Sequence, residues 1–128
     1  MATTRTGRTG QEAFPKRGDI YLTALDPAVG REIKKTRPAL VIQNDVSNRY
    51  GMTTIVAAIT SKASTPPYPN EVILHPNGTG LGVISTVRLD QIRTVDRQRL
   101  IKRLGKVDAE VLSRVDEAIK ISLGLVGI

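Results

Sequence analysis

The sequence predicts a mainly β (α+β) domain in which short strands curl into a small barrel and one C-terminal amphipathic helix closes it. Between residues 19 and 106, short apolar and β-branched runs alternate with Gly, Pro, Asn and Asp turn signals, the pattern of a strongly curved barrel. After residue 108 the apolar positions switch to helical spacing. A length of 128 residues suits one core, with roughly two thirds of the chain's surface removed from water.

Residues 1–15 are small and polar without a period and are read as a disordered arm ahead of a single domain over 16–128. Asp19-Ile20-Tyr21-Leu22-Thr23-Ala24-Leu25 forms the first strand, and Asp26-Pro27 ends it and opens a loop. In that loop Gly30-Arg31-Glu32-Ile33-Lys34-Lys35-Thr36-Arg37 sets four cations around one glutamate. Pro38 then turns the chain into an extended run that holds Arg37 in place. Residues 38–43 read as a strand buried on both faces, Asn44-Asp45 caps a helical turn to about residue 50, and residues 53–61 are a β-branched strand. Proline excludes regular structure from Ser64 to Asn70 and makes a mobile surface loop. Strands follow at 71–74, 83–89, 92–95 and 100–106, with a turn at 75–80. From an N-cap at Asp108, Val111, Leu112, Val115, Ala118, Ile119 and Ser122 recur on one helical face, which packs on the barrel.

Composition removes several classes of function. There is no cysteine and one histidine, so disulfides, thiolate chemistry and zinc are not expected, and neither is any other metal or cofactor. With no apolar run of about 18 residues and no export signal at the N-terminus, the expected location is the cytoplasm, away from any membrane. The net charge of +7 is concentrated in two patches. One is Arg31, Lys34, Lys35 and Arg37 against Glu32; the other is Arg88, Arg93, Arg97, Arg99, Lys102, Arg103 and Lys106 against Asp90 and Asp96. Clustered cations gain affinity by displacing counterions from phosphates, so the expected partner is nucleic acid or an acidic protein. The plain alternative is a solvated basic face.

Arginine matches phosphate bidentately and stays protonated, which suits Arg37 to charge stabilisation, although an arginine before a proline is by itself an ordinary surface residue. Thr60 can donate a hydroxyl to a phosphate oxygen or simply be a good strand former, and Ser85 and Thr86 carry the same ambiguity. Glu32 can accept a proton or pair with Lys35. His75, in a turn beside a proline, reads as an incidental loop residue. Gly78-Thr79-Gly80-Leu81-Gly82 has the glycines of a nucleotide loop but lacks the Lys-Ser/Thr pair and opens no helix, so it reads as a turn.

Taken together, Arg17-Gly18-Asp19-Ile20-Tyr21, Leu25-Asp26-Pro27, Gly30 with Glu32, Arg37-Pro38-Ala39-Leu40-Val41-Ile42, Asn44-Asp45 and Asn48-Arg49 resemble the first half of the MazF/PemK family of toxin endoribonucleases. Ala57-Ala58-Ile59-Thr60, Tyr68-Pro69, Ser85, Asp90-Gln91-Ile92-Arg93-Thr94-Val95-Asp96 and Leu100 follow in the family's order. The resemblance implies an SH3-like, CcdB-like barrel and a homodimer that cuts single-stranded RNA (mRNA) at short sequences without metal. It also implies a cognate antitoxin whose acidic segment occupies the RNA site. By position Arg37 matches the family's catalytic arginine, Thr60 its catalytic threonine and Glu32 an assisting glutamate. Arg31, Lys34, Lys35, Asn44, Ser85, Gln91 and Arg93 are the expected RNA-binding set. Ile33 and Lys35 stand where many members have glutamine and glycine, and Glu71 where histidine is common, so the loop's shape and its RNA preference do not transfer.

The residues suit that chemistry. RNA carries its own nucleophile in the 2′-hydroxyl, so cleavage needs in-line alignment and stabilisation of the charged phosphorane, leaving 2′,3′-cyclic phosphate and 5′-hydroxyl ends. The general base is left between Glu32 and solvent. With three tyrosines and one phenylalanine, base recognition leans on hydrogen bonds, with Tyr21, Tyr50 and Tyr68 the candidates for stacking. Two alternatives stand beside this reading: a gyrase-poisoning toxin of the same fold, which cuts nothing, and a non-catalytic nucleic-acid-binding module.

Overall fold

Ala39, Leu40 and Val41 are all fully buried, so the sheet that contains them is covered on both faces. A computed structural model describes residues 14–62 and 66–128. Six strands, β1 (Asp19–Ala24), β2 (Thr36–Val41), β3 (Thr53–Thr60), β4 (Glu71–Leu74), β5 (Ser85–Asp96) and β6 (Leu100–Lys106), form one antiparallel sheet in the order β4-β5-β3-β2-β1-β6. Helix α1 (Asp45–Tyr50) joins β2 to β3, and helix α2 (Ala109–Ser122) follows β6. One face carries Ile20, Leu40, Ala57, Ile59, Val72, Leu74, Val87 and Leu89 against Val115 and Ala118 of α2. The other carries Tyr21, Ala39, Val41, Val56 and Val95 against Leu100.

A short connection forces the curl. The turn from β5 to β6 is only Arg97–Arg99, in 3-10 conformation, yet three strands lie between β5 and β6 in the sheet. In a flat sheet those strands are about 19 Å apart at about 4.8 Å per spacing, whereas the turn spans under roughly 14 Å even if fully extended. The sheet therefore bends until the end of β5 meets the start of β6. The edges β4 and β6 do not pair among the described residues, and α2 lies over β4 and β5. The turn after β4 bridges the gap: the Lys106 amide donates to the Gly78 carbonyl at 3.2 Å. There the backbones touch. A Cβ on Gly105 would lie 2.4 Å from the Thr79 carbonyl carbon, and one on Gly80, at φ +75°, 2.0 Å from the Leu104 oxygen. This explains the glycine string, which is a turn packed on β6. Gly105→Ala is expected to cost about 1–3 kcal/mol, since the obstacle is main chain that cannot rotate away, and a urea melt measures it.

Three boundaries differ from expectation. The strands expected at 83–89 and 92–95 are one, β5. Its pairing with β3 jumps from Ala57↔Ile92 to Ile59↔Val87, a bulge that lets one strand serve both β3 and β4. Asp90-Gln91, left between the two expected strands, is part of that bulge, and Arg88 grips the Asp90 carboxylate at 2.7 and 2.8 Å. Strand β2 starts at Thr36 and not Pro38, so Arg37 is a strand residue. Of the expected arm 1–15, residues 1–13 lie outside the described residues, and Phe14 and Pro15 are buried. Residues 63–65 of the proline-rich stretch also lie outside them; Pro66, Pro67, Tyr68 and Pro69 are exposed. No described helix is long and apolar enough to cross a membrane.

Candidate functional site

Arg37 and Thr60 are brought together by register. The pairs Val41↔Val56, Leu40↔Ala57 and Ala39↔Ala58, continued by two residues, set Arg37 opposite Thr60 at the open end of the β2–β3 ladder. Period two places Arg37 on the face of Ala39 and Val41, and Thr60 on that of Ala58 and Val56, so both stand at the rim of the same face. A cleft of about 350 Å³ there is lined by Gly30, Arg31, Glu32, Ile33, Lys34, Arg37, Thr60, Ser61 and Lys62. Four cations and one carboxylate line it, a strongly positive concavity. The Thr60 hydroxyl donates to the Lys62 carbonyl at 3.1 Å, and Arg37 is exposed to solvent.

The basic loop is fastened rather than loose. At its root the Leu25 amide donates to the Lys35 carbonyl, and the Lys35 amide to the Asp26 carboxylate, both at 2.9 Å. Lys35 has φ +71°, the left-handed conformation that favours glycine. The lysine here thus keeps a glycine-type backbone, held by Asp26. Arg93 donates to the Leu25 carbonyl at 2.7 Å, and Arg99 to the carbonyls of Ala24 and Asp26. At the tip, the Val29 amide donates to Glu32 Oε1 at 2.7 Å and the Ile33 amide to Gln91 Oε1 at 3.1 Å. Gln91 thereby ties the loop to the β5 bulge. A second cleft, about 300 Å³, opens at that tie, lined by Leu25, Glu32, Ile33, Ala58, Asp90, Gln91, Ile92 and Arg93; Glu32 and Ile33 form the wall it shares with the first.

Among the expected site residues, Arg37, Thr60, Glu32, Arg31 and Lys34 therefore meet in one cleft, and Gln91 and Arg93 stand in its neighbour. Lys35 is exposed at the loop's root. Two expected RNA contacts lie elsewhere. Ser85 is buried and donates to the Val83 carbonyl at 3.0 Å. Asn44 sits beyond the end of β2 opposite to Arg37, past a strand run of about 13 Å from Arg37 to Val41 at about 3.3 Å per residue, where it caps α1 by accepting from Ser47. Asn48 likewise is structural, buried and bonded to Thr54, Gln43 and Asp45.

The second basic patch is largely spent internally. Arg88 pairs with Asp90, Arg93 and Arg99 hold the loop's root, Arg97 donates to the Gly51 carbonyl, and Arg103 pairs with Asp19. The hydrogen bond from Arg88 holds the Asp90 carboxyl below the usual carboxylate range. The stability this adds is present above the unfolded carboxylate's pKa and is lost as pH falls through the depressed value. Among the tyrosines, Tyr21 is in the core, whereas Tyr50 and Tyr68 are exposed.

A family model for PemK-like, MazF-like toxins of type II toxin-antitoxin systems matches residues 16–123. The chain belongs to this family. Endoribonuclease EndoA of Bacillus subtilis (strain 168) is 45% identical to this toxin over 111 residues, 87% of this chain and 96% of that protein. MazF of Deinococcus radiodurans has a similar structure, with a TM-score of 0.75 at 31% identity over 87% of this chain and 97% of that one. A MazE-MazF structure from the same organism gives a TM-score of 0.68 at 30% identity, covering 88% and 97%. What the sequence did not signal in this toxin is the fastening set, Asp26, Arg99 and the Gln91 latch. Only the spacing of Asp26 ahead of the basic run hinted at it, since a short acid at a loop root often accepts backbone amides.

Proposed function

We propose that this toxin is a cytoplasmic, metal-independent and sequence-specific endoribonuclease that cuts single-stranded RNA (mRNA) by attack of the substrate's own 2′-hydroxyl. The observation that supports it best is the pairing of Arg37 with Thr60 at one cationic cleft, next to Glu32. A phosphodiester seated there receives the guanidinium fork and, once Thr60 turns from the Lys62 carbonyl, a hydroxyl donor. The 2′-oxygen bonds to phosphorus and its proton passes to a base, either Glu32, the carboxylate that lines the cleft, or solvent. The bond from phosphorus to the 5′-oxygen breaks, and that oxygen takes a proton from solvent. The products are a 2′,3′-cyclic phosphate and a 5′-hydroxyl. The cleft's own cations neutralise the phosphorane and repel a divalent ion, so the charge stabilisation is supplied without metal.

The working unit in this reading is a homodimer, and a cognate antitoxin lays an acidic segment over the first basic patch in competition with RNA. A relative named endoribonuclease supports the RNA-cutting part of this reading, and the related MazE-MazF structure supports a partner protein for the toxin. The test is a ribonuclease assay on a long single-stranded RNA, with sedimentation of the same sample. Discrete cuts by a dimer, weakened steeply by salt and blocked by the antitoxin, are expected. Salt-dependent binding without any cut would instead make the chain a binding module, and an inhibitory antitoxin bound together with RNA would refute the shared site.

A further inference from the structure

We propose that Thr86 is a positioning residue for Thr60, a proposal that rests on reading Thr60 as the donor to the scissile phosphate. Thr86 is fully buried, and its hydroxyl has no hydrogen-bond partner among the described residues. A hydroxyl taken out of water without a partner destabilises the fold, so its retention calls for an explanation. In the sheet Thr86 lies directly opposite Thr60 in the β3–β5 ladder, and cross-strand partners project from the same face with their Cβ atoms about 5 Å apart. The Thr60 hydroxyl is meanwhile turned outward, donating to the Lys62 carbonyl. Thr60 thus has two settings. In the resting one it is bonded to Lys62 and Thr86 is orphaned.

In the working setting Thr60 rotates about χ1, gives its proton to a phosphate oxygen in the Arg37 cleft, and accepts the Thr86 hydroxyl on its own oxygen. The chain Thr86 to Thr60 to phosphate satisfies the buried hydroxyl. It also fixes Thr60's rotamer and polarises its O–H, because a hydroxyl that accepts a hydrogen bond becomes a better donor. The lost bond to Lys62 is offset by two gained, one of them to an anion. Thr86 touches no substrate in this scheme and acts through Thr60 alone.

The test uses the full chain with a short RNA of the cleaved sequence, measuring kcat, KM and melting temperature for Thr86→Val, Thr86→Ser, Thr60→Val and the double variant with valine at both sites. Thr86→Val keeps the shape and removes the hydroxyl. It is expected to lower kcat about tenfold, the value of one such hydrogen bond, with KM unchanged and melting temperature unchanged or raised. Thr86→Ser, which loses a methyl but keeps the hydroxyl, should restore kcat. In the Thr60→Val background the Thr86→Val change should do nothing further. A fully active Thr86→Val beside a crippled Thr60→Val overturns this proposal alone, as does a Thr86→Ser as slow as Thr86→Val, or a further tenfold loss in the double variant. A fully active Thr60→Val overturns the reading of the site and this proposal with it.

Discussion

Arg37→Ala is expected to lower kcat for RNA cleavage by about a hundredfold to a thousandfold while changing folding stability by no more than about 0.5 kcal/mol. The two halves of this expectation have separate grounds. Arg37 is exposed at the rim, before the fully buried run Ala39 to Val41, and neither core cluster contains it, so the core does not register its loss. Arg37, by contrast, lines the cleft together with Thr60 and three other cations. A donor aimed at charge that develops in the transition state costs far more to remove than one that binds ground state and transition state alike. Thr60→Ala should act in the same direction, on kcat more than KM, because it removes the other phosphate donor. Lys34→Ala should differ, weakening binding and flattening the salt dependence while leaving kcat nearly unchanged, as a general phosphate contact does. Arg37→Lys keeps the charge but loses the fork and should recover only part of the loss. Cleavage and melting measured on the same samples decide it; a folded Arg37→Ala of full activity would remove Arg37 from the mechanism.

A single 2′-deoxy sugar on the 5′ side of the scissile bond should abolish cleavage at that bond, with binding nearly unaffected. If the cleft only aligns and stabilises, the nucleophile must come from the RNA, and the deoxy substrate lacks it. Among the described residues no group of three His, Asp or Glu side chains stands close enough to hold a metal ion. The cleft itself is lined by four cations, which would disfavour one. Cleavage of the normal substrate should accordingly persist in excess chelator, and its 5′ fragment should end in a 2′,3′-cyclic phosphate. If the deoxy substrate were cut at the normal rate, water would be the nucleophile and the roles of Arg37 and Thr60 would have to be reassigned.

Much of this was readable because it is local. Helix α2 follows from one apolar stripe and an Asp108 cap, which accepts the Val111 amide as expected. Strand β3 follows from β-branching. Misreadings came where one local pattern fits two structures. Asp90-Gln91 interrupts an apolar run as a turn does, but a bulge interrupts it equally, and only pairing with both β3 and β4 separates the two. The arginines from 88 to 103 looked like a nucleic-acid footprint because sequence counts charge without showing where each guanidinium is spent.

By itself the sequence determined the kind of domain, the presence of a fixed cation before Pro38, the absence of thiol chemistry and, through its succession of motifs, the family. Each depends on the identity of residues or on their spacing within one element. The tertiary structure alone decided that Arg37 and Thr60 line one cleft, that Gln91, Arg93 and Arg99 hold the loop beside them, and that Thr86 lies across from Thr60 in the β3–β5 ladder. Residues 23 positions apart along the chain become neighbours only once the β2–β3 register is set. That register is fixed by burial on both faces of the sheet, since a slip of one residue would turn Arg37 inward and Leu40 to the opposite side.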